Sequence, residues 1–465
     1  MARNTTYDEL TVGAKASVQR QVTANDLWAF AHASGNLNPK VLPSFDSDGD
    51  GKSDAVAPSL WAGAQVSAVL STRLPGPGTK YVAQTYRFPD RARIGETVTS
   101  TVTVKKKLPD CHVLLETEVR TADGRVIAIG EAEVIAPAQR IEVPDEDLPP
   151  MTVARHQHIE RLMRACEPLE PLATAVVCPE DEPSLAGALL GMRHELIRPV
   201  LIGNVEKIRA VAKTLGASLD GLELLEANGA FPAADKAVQL ANQGTVQAVM
   251  KGRLHTDELL KPIVRKEGGL RGVRRISHVF VMDVPGLPEL LLVTDAAINI
   301  SPTLEEKVDI VQNAIFLAQA LGYAQPKVGV LSAVEVVNPA MPSTLDAAIL
   351  SKMAERGQIT GGIVDGPLAM DNALSLQAAR TKGITSLVAG RANVLMVPNI
   401  EAGNMLAKEL AFVAHAEGPG LVVGAKVPIM LTSRADDDST RLASCAVAVL
   451  EAHFRRTGKS AVPAS

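Results

Sequence analysis

Aromatic residues make up only 3% of the 465-residue sequence. Cysteine is scarcer still: Cys111, Cys166, Cys178 and Cys445 are scattered, with no C-x-x-C pair and no metal-ligand spacing. The pattern excludes a disulfide framework and predicts small apolar core residues in a reducing compartment. Positive charge is not in excess. Forty-seven Lys and Arg against 52 Asp and Glu give a formal charge of -5, so capture of nucleic acid has no electrostatic support. No apolar run approaches the roughly 20 residues that span a bilayer, and the opening MARNTTYDEL lacks the apolar core of a signal peptide. These absences predict a cytoplasmic protein with neither a nucleic-acid nor a membrane partner.

What is present is an ordinary globular balance, 46% hydrophobic and 21% charged, in a chain too long for one core. The character of the sequence changes near residue 145. Before it, KYVAQTYRF, TVTSTVTVKKKL, CHVLLETEVRT and RVIAIGEAEVIA alternate apolar and polar residues, which predicts antiparallel strands with one buried face. SLWAGAQVSAVLSTRL (59–74) is apolar or small on nearly every side, as befits a helix that a sheet must wrap. One long buried helix in a curled antiparallel sheet is the α+β hotdog arrangement, expected over residues 1–140. The proline- and acid-rich stretch 141–154 reads as a linker.

After the linker, unbroken apolar runs alternate with helical stretches: TAVVCP, PVLIGN, AVMKG, HVFVMDV, LLLVTD, KVGVLSAV, GGIVDG, NVLMVPN and VPIMLTS. Such runs predict a mainly parallel sheet covered on both faces. Residues 155–465 exceed a usual single core, so two α/β lobes with a cleft between them are expected.

Two stretches hold candidate chemistry. In SFDSDGDGKSD, Asp46, Asp48, Asp50 and Asp54 are spaced like ligands of a calcium loop, but position 12 is Ala57 where a bidentate Glu belongs. A loop-only calcium site and a solvated acidic turn both remain open. In VPIMLTSRADDDST an apolar strand ends at Leu431 and Ser433 is placed to cap a helix carrying Asp436 and Asp437, with Arg434 beside the cap. A strand end feeding a helix N-terminus is an anion site that Arg434 would strengthen; a plain N-cap with an exposed Arg is the alternative. NVLMVPNIEAGNML repeats the design with Gly403 and Asn404, the glycine serving either ligand approach or packing.

The first 140 residues resemble the MaoC-like hydratases and dehydratases, on VTANDLWAFAHASGN, LNP, LPGPGT, YRF and RIGETV. That family's loop reads G-D-x-N-P-(aliphatic)-H, whose Asp and His activate the water that adds to an enoyl-CoA. Here the stretch is GNLNPKV: Asn36 stands for the Asp, Val41 for the His, and Lys40 for the aliphatic residue. An amide and an isopropyl group move no proton, so the expectation is a degenerate domain kept as a scaffold or CoA-binding module.

Residues 155–465 resemble the phosphate acetyl/butyryltransferases. The matching stretches are KGRLHTDELLKP (251–262), VTDAAINISPTLEEKVDIVQNA (293–314), VAGRANVLMVPNIEAGNML (388–406) and LTSRADDDST (431–440). The resemblance implies a two-lobed fold like the isocitrate and isopropylmalate dehydrogenases, with lobe one about 155–272 plus 420–465 and lobe two about 273–419. It implies the reaction of acyl-CoA with inorganic phosphate to give acyl phosphate and CoA, with no tightly bound cofactor, CoA as substrate, and a homo-oligomer. Ser433, Arg434 and Asp436 would be catalytic; Lys251, Gly252, His255, Thr256, Lys261, Asp295, Asn299, Gly403 and Asn404 would bind substrate. The acetyl branch carries an Asp seven residues after the Ser. Here that position is Thr440, whereas TSRAD of the butyryl-type branch is retained. His255 and Lys261 also admit structural readings, as a turn residue and a solvated helix face, and His156 and His158 read as helix surface. Two alternatives stand beside the enzyme: a non-catalytic acyl-CoA-binding protein, and a bifunctional enzyme with live hydratase activity. A metal-dependent decarboxylating dehydrogenase lacks its clustered Asp ligands.

Overall fold

The computed structural model describes residues 2–47, 53–144, 153, 156–431 and 437–463. The chain forms two compact units, Met1–Val153 and Ala154–Ser465. In the first, five antiparallel strands lie in the order Lys15–Gln21, Thr97–Lys107, His112–Thr121, Val126–Ile135 and Lys80–Arg87. In the second of these, Val98, Ser100, Val102 and Val104 face inward while the threonines between them face out, as a half-buried strand requires. The helix Ser59–Thr72 buries Trp61, Ala62, Gly63, Val66, Val69 and Leu70 against this face. Each of the large ones contributes roughly 1.5–3 kcal/mol. A glycine is needed at 63: a Cβ there would stand 3.0 Å from the Tyr86 ring, whose hydroxyl donates to the Gly63 carbonyl at 3.1 Å. This is a hotdog fold.

The expected linker does not begin at 141. Glu142–Val143 pairs antiparallel with Ala2–Arg3, and the Asn4 amide donates to the Ile141 carbonyl, so this segment closes the first unit. Its exposed edge amides find partners in the chain's own N-terminal residues.

The second unit holds one eleven-stranded sheet. Its order is Glu223–Glu226, Ile197–Gly203, Leu172–Val177, Ala248–Lys251, Ile429–Met430, Gly420–Val423, Ser277–Met282, Leu291–Thr294, Val394–Met396, Lys327–Leu331 and Ile363–Leu368. Pairings are parallel except around Gly420–Val423 and Ser277–Met282, which run antiparallel to their neighbours. Successive residues of one strand enter different cores: Val176 packs with Leu185 and Leu201, whereas Ala175 and Val177 pack with Ala234 and Ile263. Both faces are therefore covered. Among the described residues no helix is long and apolar enough to cross a membrane.

Candidate active site

The stretch AVMKGRLHTDELL turns from strand Ala248–Lys251 into helix Thr256–Ile263. Gly252 is required for that turn, since a Cβ would stand 2.4 Å from the carbonyl oxygens of Val177 and Cys178. It faces protein, not ligand. His255 stands at the N-cap position, its amide donating to the Glu258 carboxylate at 2.8 Å. Ile429–Met430 pairs parallel beside Ala248–Lys251, bringing Leu431 next to Lys251. Ser433, Arg434 and Asp436 lie outside the described residues. The helix that follows spans Asp438–Thr457 and is capped by Asp437, whose carboxylate accepts from the Thr440 amide at 2.8 Å. Asp437, expected inside the first turn of that helix, is instead its N-cap. DDDST offers a carboxylate three residues before Thr440, and a capping carboxylate satisfies that amide.

A cavity of about 860 Å³ opens at these strand ends. Lys251, His255 and Thr256 line it from one side and Leu431 from the adjoining strand. His278 and Phe280 supply another part of the wall, and helix Ile400–Phe412 supplies Glu401, Asn404, Met405 and Lys408. Lys251 is buried and Lys408 exposed, so two cations and one carboxylate border the cavity, with Leu254, Phe280, Ile400 and Met405 as apolar parts of its wall.

His278 is 1% exposed, and its ring meets that of Phe280 edge to face at 4.5 Å. Burial drives its pKa down to about 4, against the opposing pull of the Asp295 carboxylate. The ring is therefore neutral near pH 7. Its Nδ1 is buried without a hydrogen-bond partner among the described residues. Gly420 is the position its bulk dictates: a Cβ there would lie 2.7 Å from His278 Nε2. We expect Gly420→Ala to displace the ring, to destabilise the fold by about 1–3 kcal/mol, and to raise the KM for acyl-CoA. Urea unfolding and initial rates check this; wild-type values of both would refute it.

Of the residues expected to bind substrate, Lys251, His255, Thr256 and Asn404 come together at the cavity. The others do not line it. Asp295 and Asn299 are buried, at 2% and 4% exposure. Asp295 accepts from the amides of Ala297, Ile298 and Asn299, and Asn299 donates to the Ile276 carbonyl at 3.0 Å. They brace the turn that presents Ala297 to the cavity. Gly403 packs against that turn, a Cβ being 2.6 Å from the Asp295 carbonyl. Lys261 is exposed, 3.5 Å from Asp257 one helical turn away. His158 is not on a helix surface: it is buried, and its Nε2 lies 3.2 Å from the Leu287 carbonyl. The amides of His158 and Ile159 donate to Asp283, which is fully enclosed.

The helix contribution was partly legible. Glu401, Asn404, Met405 and Lys408 fall at i, i+3, i+4 and i+7, one face of a helix. Asn404 therefore had neighbours that the spacing alone indicates. His278 and Phe280 carried no such signal, because an apolar run does not say which strand borders a cavity.

In the first unit, the amide of Asn38 donates to Asn36 Oδ1 at 3.2 Å and that of Lys40 to Asn38 Oδ1 at 3.1 Å. Val41 is buried. Asp54 accepts from the amide of Ser47 at 3.0 Å and from its hydroxyl, which holds its pKa below the usual carboxylate value. Asp48 and Asp50 lie outside the described residues, and among the described residues no group of three or more acidic, His or Cys side chains is placed to hold a metal.

Comparison with known proteins places these features. Residues 231–449 match the family model described as phosphate acetyl/butaryl transferase. The chain is 54% identical to a phosphate acetyltransferase of Rhizobium meliloti over 308 residues, 66% of this chain and 98% of that protein. A branched-chain phosphotransacylase from Enterococcus faecalis V583 superposes with a TM-score of 0.54 at 30% identity, over 61% of this chain and 99% of that one. The (R)-hydratase PhaJ1 from Pseudomonas aeruginosa is 35% identical over 33% of this chain and 99% of its own, with a TM-score of 0.31.

Proposed function

The chain belongs to the phosphate acetyl/butyryltransferase family, and from that premise we propose that the cavity bordered by Lys251, His278 and Leu431 is where acyl-CoA meets phosphate. The enzyme is a phosphate acyltransferase. A phosphate oxygen attacks the thioester carbonyl, the new C–O bond forms as the C–S bond breaks, and CoA leaves as a thiolate that takes up a proton. Such a step needs a clamp for phosphate, a donor to the developing oxyanion and a group near the leaving sulfur. Arg434 is assigned to the first, Ser433 to the second or third, and Asp436 to the proton. Lys251 and Lys408 draw the phosphate and the CoA diphosphate toward the cavity. Thr440 has no proton to exchange near neutral pH and its amide is committed to Asp437. The observation that carries this reading is the convergence of Leu431, which leads into TSRAD, with Lys251, His255 and Asn404 on one cavity. Phosphate-dependent release of CoA thiol from acetyl-CoA or butyryl-CoA tests it; release with neither substrate would overturn it.

The two-lobed arrangement like the isocitrate and isopropylmalate dehydrogenases is retained as part of the proposal, with the boundary near residues 272 and 420. It is supported by the return of Ile429–Met430 to pair with Ala248–Lys251. An apolar wall of Leu254, Phe280, Ile400 and the exposed Met405 suits acyl chains longer than acetyl. A pocket distinguishes one methylene by about 1–3 kcal/mol only when it fits closely. We expect kcat/KM for butyryl-CoA to lie within ten-fold of that for acetyl-CoA. A preference for acetyl-CoA above 100-fold would refute the roomy wall. CoA is substrate, and no step calls on a bound cofactor or calcium.

A further inference from the structure

The strands that carry Lys251 and Leu431 at one end open, at their other end, on a second cavity of about 530 Å³. Val246 and Gln247 lead into strand Ala248–Lys251, and Val427 and Pro428 into Ile429–Met430; all four line it. The last turns of helix Asp438–Thr457 and the segment Leu169–Leu172 supply further wall. Four permanent cations border it, Arg198, Lys426, Arg455 and Arg456, together with His453 and the single carboxylate Glu170.

Two of those cations are already engaged. Arg455 is paired with the buried Glu451 and donates to the Ala425 carbonyl at 2.8 Å, and Lys426 donates to Asn242 Oδ1 at 2.8 Å. Arg198 and Arg456 have no hydrogen-bond or ion-pair partner among the described residues. His453 Nδ1 is buried and likewise unpartnered. A buried ring nitrogen without a partner is rare, and it lies at a cavity that the exposed Arg198 and Arg456 also border. The floor beneath them is apolar, made by Leu172, Val246, Pro428 and Ala452.

We propose that this cavity is a second ligand site, distinct from the one where acyl transfer occurs, and that it takes an organic polyphosphate of the nucleotide class. With Arg455 neutralised by Glu451, three cations stand against Glu170, a balance that suits a multivalent anion. Guanidinium forks suit phosphate oxygens. The apolar floor gives a flat ring system a surface that a bare inorganic anion leaves unfilled, and Glu170 offers an acceptor to a sugar hydroxyl or an amine. The volume lies in the range of small-molecule sites. Occupancy is linked to catalysis through shared elements. Strand Ala248–Lys251 crosses from one cavity to the other, about 13 Å at 3.3 Å per residue. Helix Asp438–Thr457 begins two residues past Asp436 and ends at His453, Arg455 and Arg456, about 30 Å away. A ligand gripping the far end of that helix biases the position of its near end.

The test titrates ATP by calorimetry into the full chain without CoA, and the variants below separate this cavity from the first. One ATP per chain with sub-millimolar affinity is expected, with pyrophosphate at least ten-fold weaker and adenosine weaker still. Arg198→Glu combined with Arg456→Glu should weaken ATP binding at least ten-fold while leaving phosphate-dependent thiol release without ATP within two-fold of wild type. Ala452→Trp, which fills the floor without touching charge, should give the same loss. ATP should change kcat or the KM for phosphate in the wild type and in neither variant. Absence of ATP binding, unchanged binding in both variants, or pyrophosphate binding as tightly as ATP would each overturn the assignment.

Discussion

Replacing Arg434 with alanine lowers kcat/KM for phosphate by on the order of 10²–10³, the cost of removing a preorganised charge from a transition state. The reaction brings a phosphate dianion against a thioester whose carbonyl oxygen gains negative charge, so the clamp works harder as the C–O bond forms. Loss of such an interaction falls on kcat as well as on KM. Lys251 and Lys408, the cations that line the cavity among the described residues, cannot replace a planar fork, because an ammonium makes no bidentate contact with phosphate. Arg434→Lys should accordingly recover only part of the loss. Ser433→Ala should cost about ten-fold, as expected when one hydrogen bond of about 1.5 kcal/mol to a charged oxygen or sulfur is removed. Initial rates of thiol release across a range of phosphate concentrations separate these effects. Wild-type rates in Arg434→Ala would refute the assignment of the clamp, and with it the pairing of TSRAD with this cavity.

The strands most legible in the sequence were those with a strong period. Residues 97–104 alternate between half-buried and buried positions, and VFVM of Ser277–Met282 is unbroken. Three strands carried weaker signals. Lys15–Gln21 is an edge strand of the first sheet, mostly exposed, and KASVQRQ alternates only over its first five residues. Glu223–Glu226 is the outermost strand of the large sheet, bounded by charge. Gly420–Val423 is fully buried but short and glycine-flanked, and short apolar runs do not declare their type. The site divided in the same way. Residues following a strand end in a long motif, such as Lys251 and His255, reach the cavity, whereas Asp295 and Asn299 follow a strand end equally well yet turn inward, Asp295 to accept backbone amides and Asn299 to donate to the Ile276 carbonyl. Position after a strand does not fix whether a carboxylate faces ligand or its own chain. Only the hydrogen-bond accounting of the folded loop decides that.

We expect crotonyl-CoA not to be hydrated by this protein above the buffer rate. The hotdog sheet and its buried helix are intact, so the prediction rests on the loop of residues 34–41 alone. We infer that the loop keeps its backbone and has lost its proton chemistry. Asn36 and Asn38 each accept an amide two residues on, which fixes the turn without either side chain carrying a titratable proton. Val41, at the position where the hydratases have histidine, is 3% exposed. An imidazole placed there would be stripped of water and held neutral, with its second nitrogen in need of a partner. For that reason Asn36→Asp with Val41→His should fail to restore more than a trace of hydration, and should cost stability. Asn36→Ala should leave phosphate-dependent thiol release within two-fold of wild type. Absorbance of the enoyl thioester, followed with the same preparation that releases thiol, gives the answer. Turnover of crotonyl-CoA by the wild-type chain would show that another side chain activates water there, and would make the protein bifunctional.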